Sequence, residues 1–295
     1  MAIFASVHRM ARCLGVTLAI HAILLSHAHA GISDQQRGVR PNQYIVQFDS
    51  NAANAGTWTR TMTSTMSALL SNANDVLSTP KVPFQVLKDI DTNLFTGSLV
   101  HVDDANVDQL RQVNGIRDVW PNRIYSLNQG EAPPGNATDQ KVVDPVPMQP
   151  FNVLNMTGVG ALHEKGLTGK GVRVAVIDTG LYYDHAAFGN CYGQATCRIK
   201  PGYDFVGDSY NSNDPSSIPQ PDDDPISNCQ SHGTHVAGII GGDSGTFVGV
   251  APGVEITPYK IFGCDEGGFT SDMEIINALT RAYEDKHDII SMSVG

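Results

Sequence analysis

Two short stretches carry side chains able to do chemistry. Asp178 closes the apolar run over residues 171–177 and begins Asp178-Thr179-Gly180. A carboxylate at the carboxyl end of a buried strand stands where open α/β sheets form their ligand crevices. Further on, Ser231-His232-Gly233-Thr234-His235-Val236-Ala237-Gly238 sets two imidazoles three residues apart among small residues that allow close backbone packing. An aspartic-protease site would need a second carboxylate sharing the proton. The second copy is missing, because Asp243-Ser244-Gly245 follows glycines and no apolar strand. A metal site would take His232 and His235 together with Asp222, Asp223 or Asp224. The zincin pattern His-Glu-x-x-His has Gly233 where its general base belongs. The acidic run 222–224 reads as a solvated loop, so no metal site is assigned. Taken one at a time, both stretches also have structural readings: Asp178 as the cap of a turn, the histidines as packing residues.

The elements that must position these residues follow from apolar periodicity. Residues 171–177 form a nearly continuous apolar run, the pattern of a strand covered on both faces. A helix is predicted from His232, a strand over 254–261, a helix over 271–286 and a strand over 288–294. Ser271 and Glu274 are spaced as a capping box, and Ile275, Leu279 and Ala282 mark one apolar stripe. This alternation predicts an α/β, doubly wound parallel sheet. Ahead of it, strands are expected at 43–48, 83–87, 95–102 and 115–125, with helices at 58–77 and 104–113. That βαββαβ order is a small α+β, ferredoxin-like unit over residues 43–127. Between them, residues 128–150 are rich in Pro, Gly, Asn, Gln and Asp, with Pro133, Pro134, Pro145, Pro147 and Pro150 barring helix or central strand. This segment reads as a linker open to a processing protease, and residues 151–295 as the larger unit.

The chain has 295 residues, 30 Asp and Glu against 19 Lys and Arg, and a net charge of -11. Such an acidic chain repels polyanions at long range, so nucleic-acid binding is excluded as the expectation. Residues 1–30 have the three parts of a secretory signal: Arg9 and Arg12, the apolar run 13–25, and the small-residue cleavage site Ala28-His29-Ala30. The apolar run falls short of the ~20 residues needed to span a bilayer, so the expected product is secreted, with no membrane attachment after signal removal. Loss of Cys13 with the signal leaves Cys191, Cys197, Cys229 and Cys264. Two disulfides are expected, and spacing favours Cys191 with Cys197, leaving Cys229 for Cys264. Asn136-Ala-Thr and Asn155-Met-Thr are glycosylation acceptor patterns.

Taken in order, VAVIDTG, the following loop, SHGTHVAG, GVAPGVEITPYKIF and DIISMSVG closely resemble the subtilisin-like serine proteases over residues 158–295. The resemblance implies a serine endopeptidase acting on protein or peptide substrates, with no cofactor. Asp178 is then the carboxylate and His232 the general base of an Asp-His-Ser triad, while His235 is a packing residue. Residues 44–127 resemble the inhibitory propeptide of these proteases, a folding assistant and intramolecular inhibitor. By the same resemblance, Phe262 and Gly263 with Gly267 and Gly268 form one substrate edge and Ser293, Val294 and Gly295 the other, where an extended substrate adds as a strand. Cys229 and Cys264 would lie close together and brace the His232 loop.

The sequence departs from the family at several points. No Gly-Thr-Ser occurs in these residues, so the serine and the oxyanion-binding Asn are expected beyond Gly295, and the 295-residue chain is expected to be inactive by itself. With part of the sheet missing, the strand at 171–177 is expected to lack neighbours. Ala187 stands where many relatives have a calcium-binding aspartate, and the loop 241–247 is short for the usual calcium loop. The competing function is inhibition or folding assistance through residues 44–127 alone.

Overall fold

The computed structural model of the chain describes residues 3–6, 38–48, 84–127 apart from 93 and 114, and 153–294 apart from 246 and 266. The expected signal, the helix at 58–77, the linker 128–150, Asn136 and Gly295 lie outside the described residues.

The amino-terminal unit is one antiparallel sheet of four strands, β2 (Val39–Phe48), β3 (Phe84–Asp91), β4 (Thr96–Val102) and β5 (Ile116–Ser126), in the order β3-β4-β2-β5. This is the strand order of a ferredoxin-like split βαβ fold. Its core holds Val46, Val100, Val102 and Val119, inward residues of the strands, with Val107 and Leu110 from the helix that covers them. The helix expected at 104–113 divides into a 3-10 turn, Asp104–Asn106, and α1 (Val107–Arg111). The cause is local: Asp103 accepts from the N–H of Ala105, one of the side-chain bonds by which Asp and Asn compete with regular helix.

The larger unit contains α2 (Val153–Met156), α3 (Val159–Glu164), β6 (Arg173–Asp178), β7 (Tyr203–Asp204), α4 (His232–Gly241), β8 (Glu255–Lys260), β9 (Phe269–Ser271), α5 (Asp272–Glu284) and β10 (Ile289–Met292). Its sheet runs β10-β6-β8-β7, all parallel. Contrary to expectation, β6 does not lack neighbours. It hydrogen-bonds β10 on one side and β8 on the other, and so is central. Beyond β10, β1 (Ile3–Ser6), which the sequence places in the removed signal, adds antiparallel through Ile3↔Met292 and its neighbours. An open strand edge is a template for any extended segment within reach.

Residues of β6 alternate between two cores. Val174 and Val176 pack with Ala237 of α4, while Ala175 and Ile177 join the cluster containing Met273, Ile275, Ile276, Ala278, Leu279 and Ala282 of α5. The helices therefore cover opposite faces, as doubly wound sheets require. The same α5 cluster takes in Ile45, Leu99 and Trp120 of the amino-terminal sheet. So α5 is buried on two sides, and the single apolar stripe read from sequence is too narrow. The expected capping box is also different in detail. Ser271 is the N-cap but makes no capping bond; its hydroxyl donates to the Glu274 carboxylate instead.

A carboxylate–imidazole pair at the carboxyl end of the sheet

Asp178 is the last residue of the central strand and is fully buried. His232 is the first residue of α4. The imidazole Nδ1 lies 2.7 Å from Asp178 Oδ1, and because a carboxylate only accepts, Nδ1 carries the proton. Oδ1 also accepts the N–H of Thr179 at 2.7 Å. The hydrogen bond to Asp178 holds the His232 pKa above its ordinary 6.5 against the opposing effect of burial. The imidazole side chain keeps 40% of its surface exposed, so it can meet a partner from solvent while its tautomer is fixed from behind.

Two threonines that sequence reasoning passed over knit the pair together. Thr179 Oγ1 accepts the Gly233 N–H at 2.9 Å, and Thr234 Oγ1 accepts the Tyr182 N–H at 2.9 Å. Each joins the turn after β6 to the first turn of α4. Neither has a signal in the sequence beyond its place in the motif, because an acceptor role depends on what the fold brings opposite. Lys260 was missed as well. It pairs with Asp178 across the β6–β8 ladder, and its buried ammonium lies 2.6 Å from both Asp204 and Asp208. A lysine closing an apolar strand was the available clue.

The expected substrate edges separate. Because β8, β6 and β10 are parallel, the segments after Lys260 and after Met292 emerge on either side of Asp178. The Phe262 side chain is fully buried in the core, so an edge there would be formed by its backbone alone. Gly263 is required by packing, since a Cβ there would lie 2.0 Å from the Tyr210 carbonyl oxygen. Gly267 and Gly268 do meet an added strand. Ser126 donates to the Gly267 carbonyl, the Leu127 N–H donates to the Gly268 carbonyl, and β5 continues antiparallel along β9. Gly268 has a left-handed φ of 53° and leaves room for the Leu127 side chain. Ser293 and Val294 follow β10 and are half-buried, with Val294 against the core.

The four cysteines form Cys191–Cys197 and Cys229–Cys264. The second bridge ties the loop before His232 to the segment after Gly263, reinforced by Gln230 donating to the Asp265 carbonyl. Asp208 approaches these two sulfurs, but sulfurs joined in a disulfide are no longer thiolate ligands. The acidic run is used locally: Asp222 accepts from the Asp224 N–H, and Asp224 from the Tyr183 hydroxyl. At Ala187 the carbonyl oxygen accepts from the Asp243 N–H and from Arg198. His235 is exposed on α4, apart from the pair. Asn155 lies in α2.

A model of the Subtilase family matches residues 169–295, and a model of peptidase inhibitor I9 matches residues 43–128. The larger unit is thus similar to the subtilases and the amino-terminal unit to the peptidase inhibitors of that model. It is 32% identical over 205 residues to the minor extracellular protease Vpr of Bacillus subtilis (strain 168), a match covering 68% of this chain and 23% of that protein. It is 36% identical over 133 residues to the major intracellular serine protease of the same organism, covering 44% of this chain and 36% of that one. The chain thus spans well under half the length of these curated relatives. Among solved structures, the epidermin leader peptide processing serine protease of Staphylococcus aureus aligns with a TM-score of 0.54 at 18% identity, over 87% of this chain and 51% of that one. Fervidolysin of Fervidobacterium pennivorans, described as a keratinolytic enzyme related to subtilisin, aligns with a TM-score of 0.50 at 18% identity, over 88% and 36%. These likenesses establish the subtilisin-like fold preceded by an inhibitor-type unit. No helix among the described residues is long and apolar enough to cross a membrane.

Proposed function

We propose that this chain is the amino-terminal part of a secreted serine endopeptidase precursor, with Asp178 and His232 as two members of its triad. The observation that carries this reading is the 2.7 Å contact between a fully buried carboxylate and a half-exposed imidazole at the mouth of a parallel sheet. The third member is a serine outside residues 1–295. As its Oγ attacks the scissile carbonyl, its proton passes to the outer nitrogen of His232. Asp178 stabilises the imidazolium so formed, and the proton then goes to the leaving amine. Water repeats the cycle on the acyl-enzyme.

Substrate is an extended protein segment added to the backbone of Gly267 and Gly268 on one side and of residues 293–295 on the other. The reading is supported by β5, whose end already pairs with Gly267, Gly268 and β9. The same pairing supports residues 43–127 as an intramolecular inhibitor that covers this edge before processing in residues 128–150. In the naturally secreted, full-length product, His232→Ala should lower hydrolysis of a fluorogenic peptide on the order of 10⁶-fold. Undiminished hydrolysis would overturn the assignment. A product that inhibits peptide hydrolysis without labelling by a serine-reactive probe would favour inhibition alone.

A further inference from the structure

The two units meet along a seam that contains a fully buried acid. Asp272 opens α5 and has no exposed surface. Its Oδ2 accepts the backbone N–H of Arg123 at 3.0 Å, and its Oδ1 accepts the Tyr125 hydroxyl at 2.7 Å. Both donors belong to β5, and both are neutral. One residue further on, the Met273 N–H donates to Asn122 of the same strand. Glu274, also buried, sits in the same helical turn and donates nothing to the charge balance except another carboxylate.

Charged and titratable groups face Asp272 from every element packed on the seam. From β5 come Arg123, which acts on it through space in one direction, and Tyr125; from α5 comes Glu274, which acts in the other. Lys88 of β3 faces Glu274. Arg40 of β2 is spent on Tyr210 and the Ser217 carbonyl. Tyr125 keeps its proton, because burial and the Asp272 carboxylate push its pKa far up. The two donors and the charge of Arg123 favour the carboxylate, whereas complete removal from water and the second acid beside it favour the neutral acid, and the loss of water outweighs the rest.

We infer that the amino-terminal unit docks on the catalytic unit together with one proton on Asp272, so that acid tightens the complex and neutral pH loosens it. This deepens the inhibitor reading above and rests on it for its meaning, though its readout is binding alone. Burial holds the Asp272 pKa at about 6 against the ordinary 3.8. The sign follows from linkage. The docked state binds the extra proton between those two values, so docking strengthens as pH falls through about 6 and levels off below the undocked value. Taking an ordinary carboxyl in the undocked state, affinity rises about tenfold from pH 7.5 to pH 5.

The test uses the full chain carrying one engineered cleavage sequence within residues 128–150, cut so that the two parts remain a complex. Retention of the amino-terminal fragment is measured by gel filtration across a concentration series at pH 5 and 7.5. The expected result is a dissociation constant about tenfold lower at pH 5. Asp272→Asn should keep the complex, since its amide can still accept from Arg123 N–H, but abolish the pH slope. Tyr125→Phe removes one donor to the carboxylate, so it should move the midpoint of the slope upward, and it serves if Asp272→Asn does not fold. A slope of opposite sign, or one unchanged in Asp272→Asn, would overturn the inference. Failure of the fragment to inhibit peptide hydrolysis, with the slope intact, would count against the inhibitor reading instead.

Discussion

Replacing Gly233 by Ala should separate the His232 imidazole from the Asp178 carboxylate without touching either. A Cβ at residue 233 would stand 2.2 Å from the Gly180 carbonyl oxygen, with Thr179 Oγ1 at 3.1 Å and the Asp178 Cβ at 3.2 Å. The first distance lies more than an ångström inside ordinary contact, and its partner is backbone, which has no rotamer to change. Alanine favours helix over glycine by up to about 1 kcal/mol. Overpacking typically costs about 1–3 kcal/mol, and the Gly233 N–H bond to Thr179 is worth about 1 kcal/mol more. The clash therefore wins, and α4 must shift away from the turn after β6. A displacement near 1 Å is enough to cost about 100-fold in rate. The assay is a denaturation midpoint together with an NMR titration of His232. Gly233→Ala should lower the midpoint and bring the His232 pKa back toward 6.5, since the Asp178 hydrogen bond is what raises it. Gly238→Ala, in the same helix but facing open space, is the control and should be neutral or stabilising. If Gly233→Ala matches Gly238→Ala in both measurements, the packing argument is wrong.

Three further outcomes follow from the same geometry. The raised His232 pKa means that the pair stabilises the fold fully below the ordinary 6.5 and loses that contribution as pH rises through the raised value; the neutral base is available only above it. An NMR titration should show the midpoint fall in Asp178→Asn, and an unchanged midpoint would deny the carboxylate its role. Cys229–Cys264 closes 35 residues and Cys191–Cys197 closes 6, so in the chain-entropy model they stabilise by about 4 and about 2 kcal/mol. Serine substitution of each pair, followed by thermal denaturation, should give the larger loss for the first. Lys260→Met leaves the buried Asp204 carboxylate without its ammonium, which should cost about 3–5 kcal/mol; double substitution with Asp204→Asn should recover much of it, and no recovery would mean that the lysine acts by packing alone.

Much of this protein was legible as linear pattern. The apolar run ending at Asp178 determined a central parallel strand with a carboxylate at its mouth, because a strand covered on both faces has no polar alternation to show. The small residues around His232 determined a helix that can approach that mouth closely. Strand spacing in residues 43–127 determined the ferredoxin-like order, and cysteine spacing the two bridges. Other features depended on groups distant in sequence. That Thr179 and Thr234 are acceptors, that the Phe262 side chain is core, and that Gly263 packs on Tyr210 were decided only when the turn after β6, the 204–210 segment and α4 came together. The same holds for α5, whose one visible stripe became a helix buried on two sides once the amino-terminal sheet packed on it. Asp272 reads in sequence as an ordinary acid at a helix start. Only the tertiary structure, by laying β5 over it and excluding water, decided that it is a buried group whose charge is costly. Sequence periodicity reports which side of one element is apolar, whereas the partner of a hydrogen bond and the solvation of a charge belong to the space between elements.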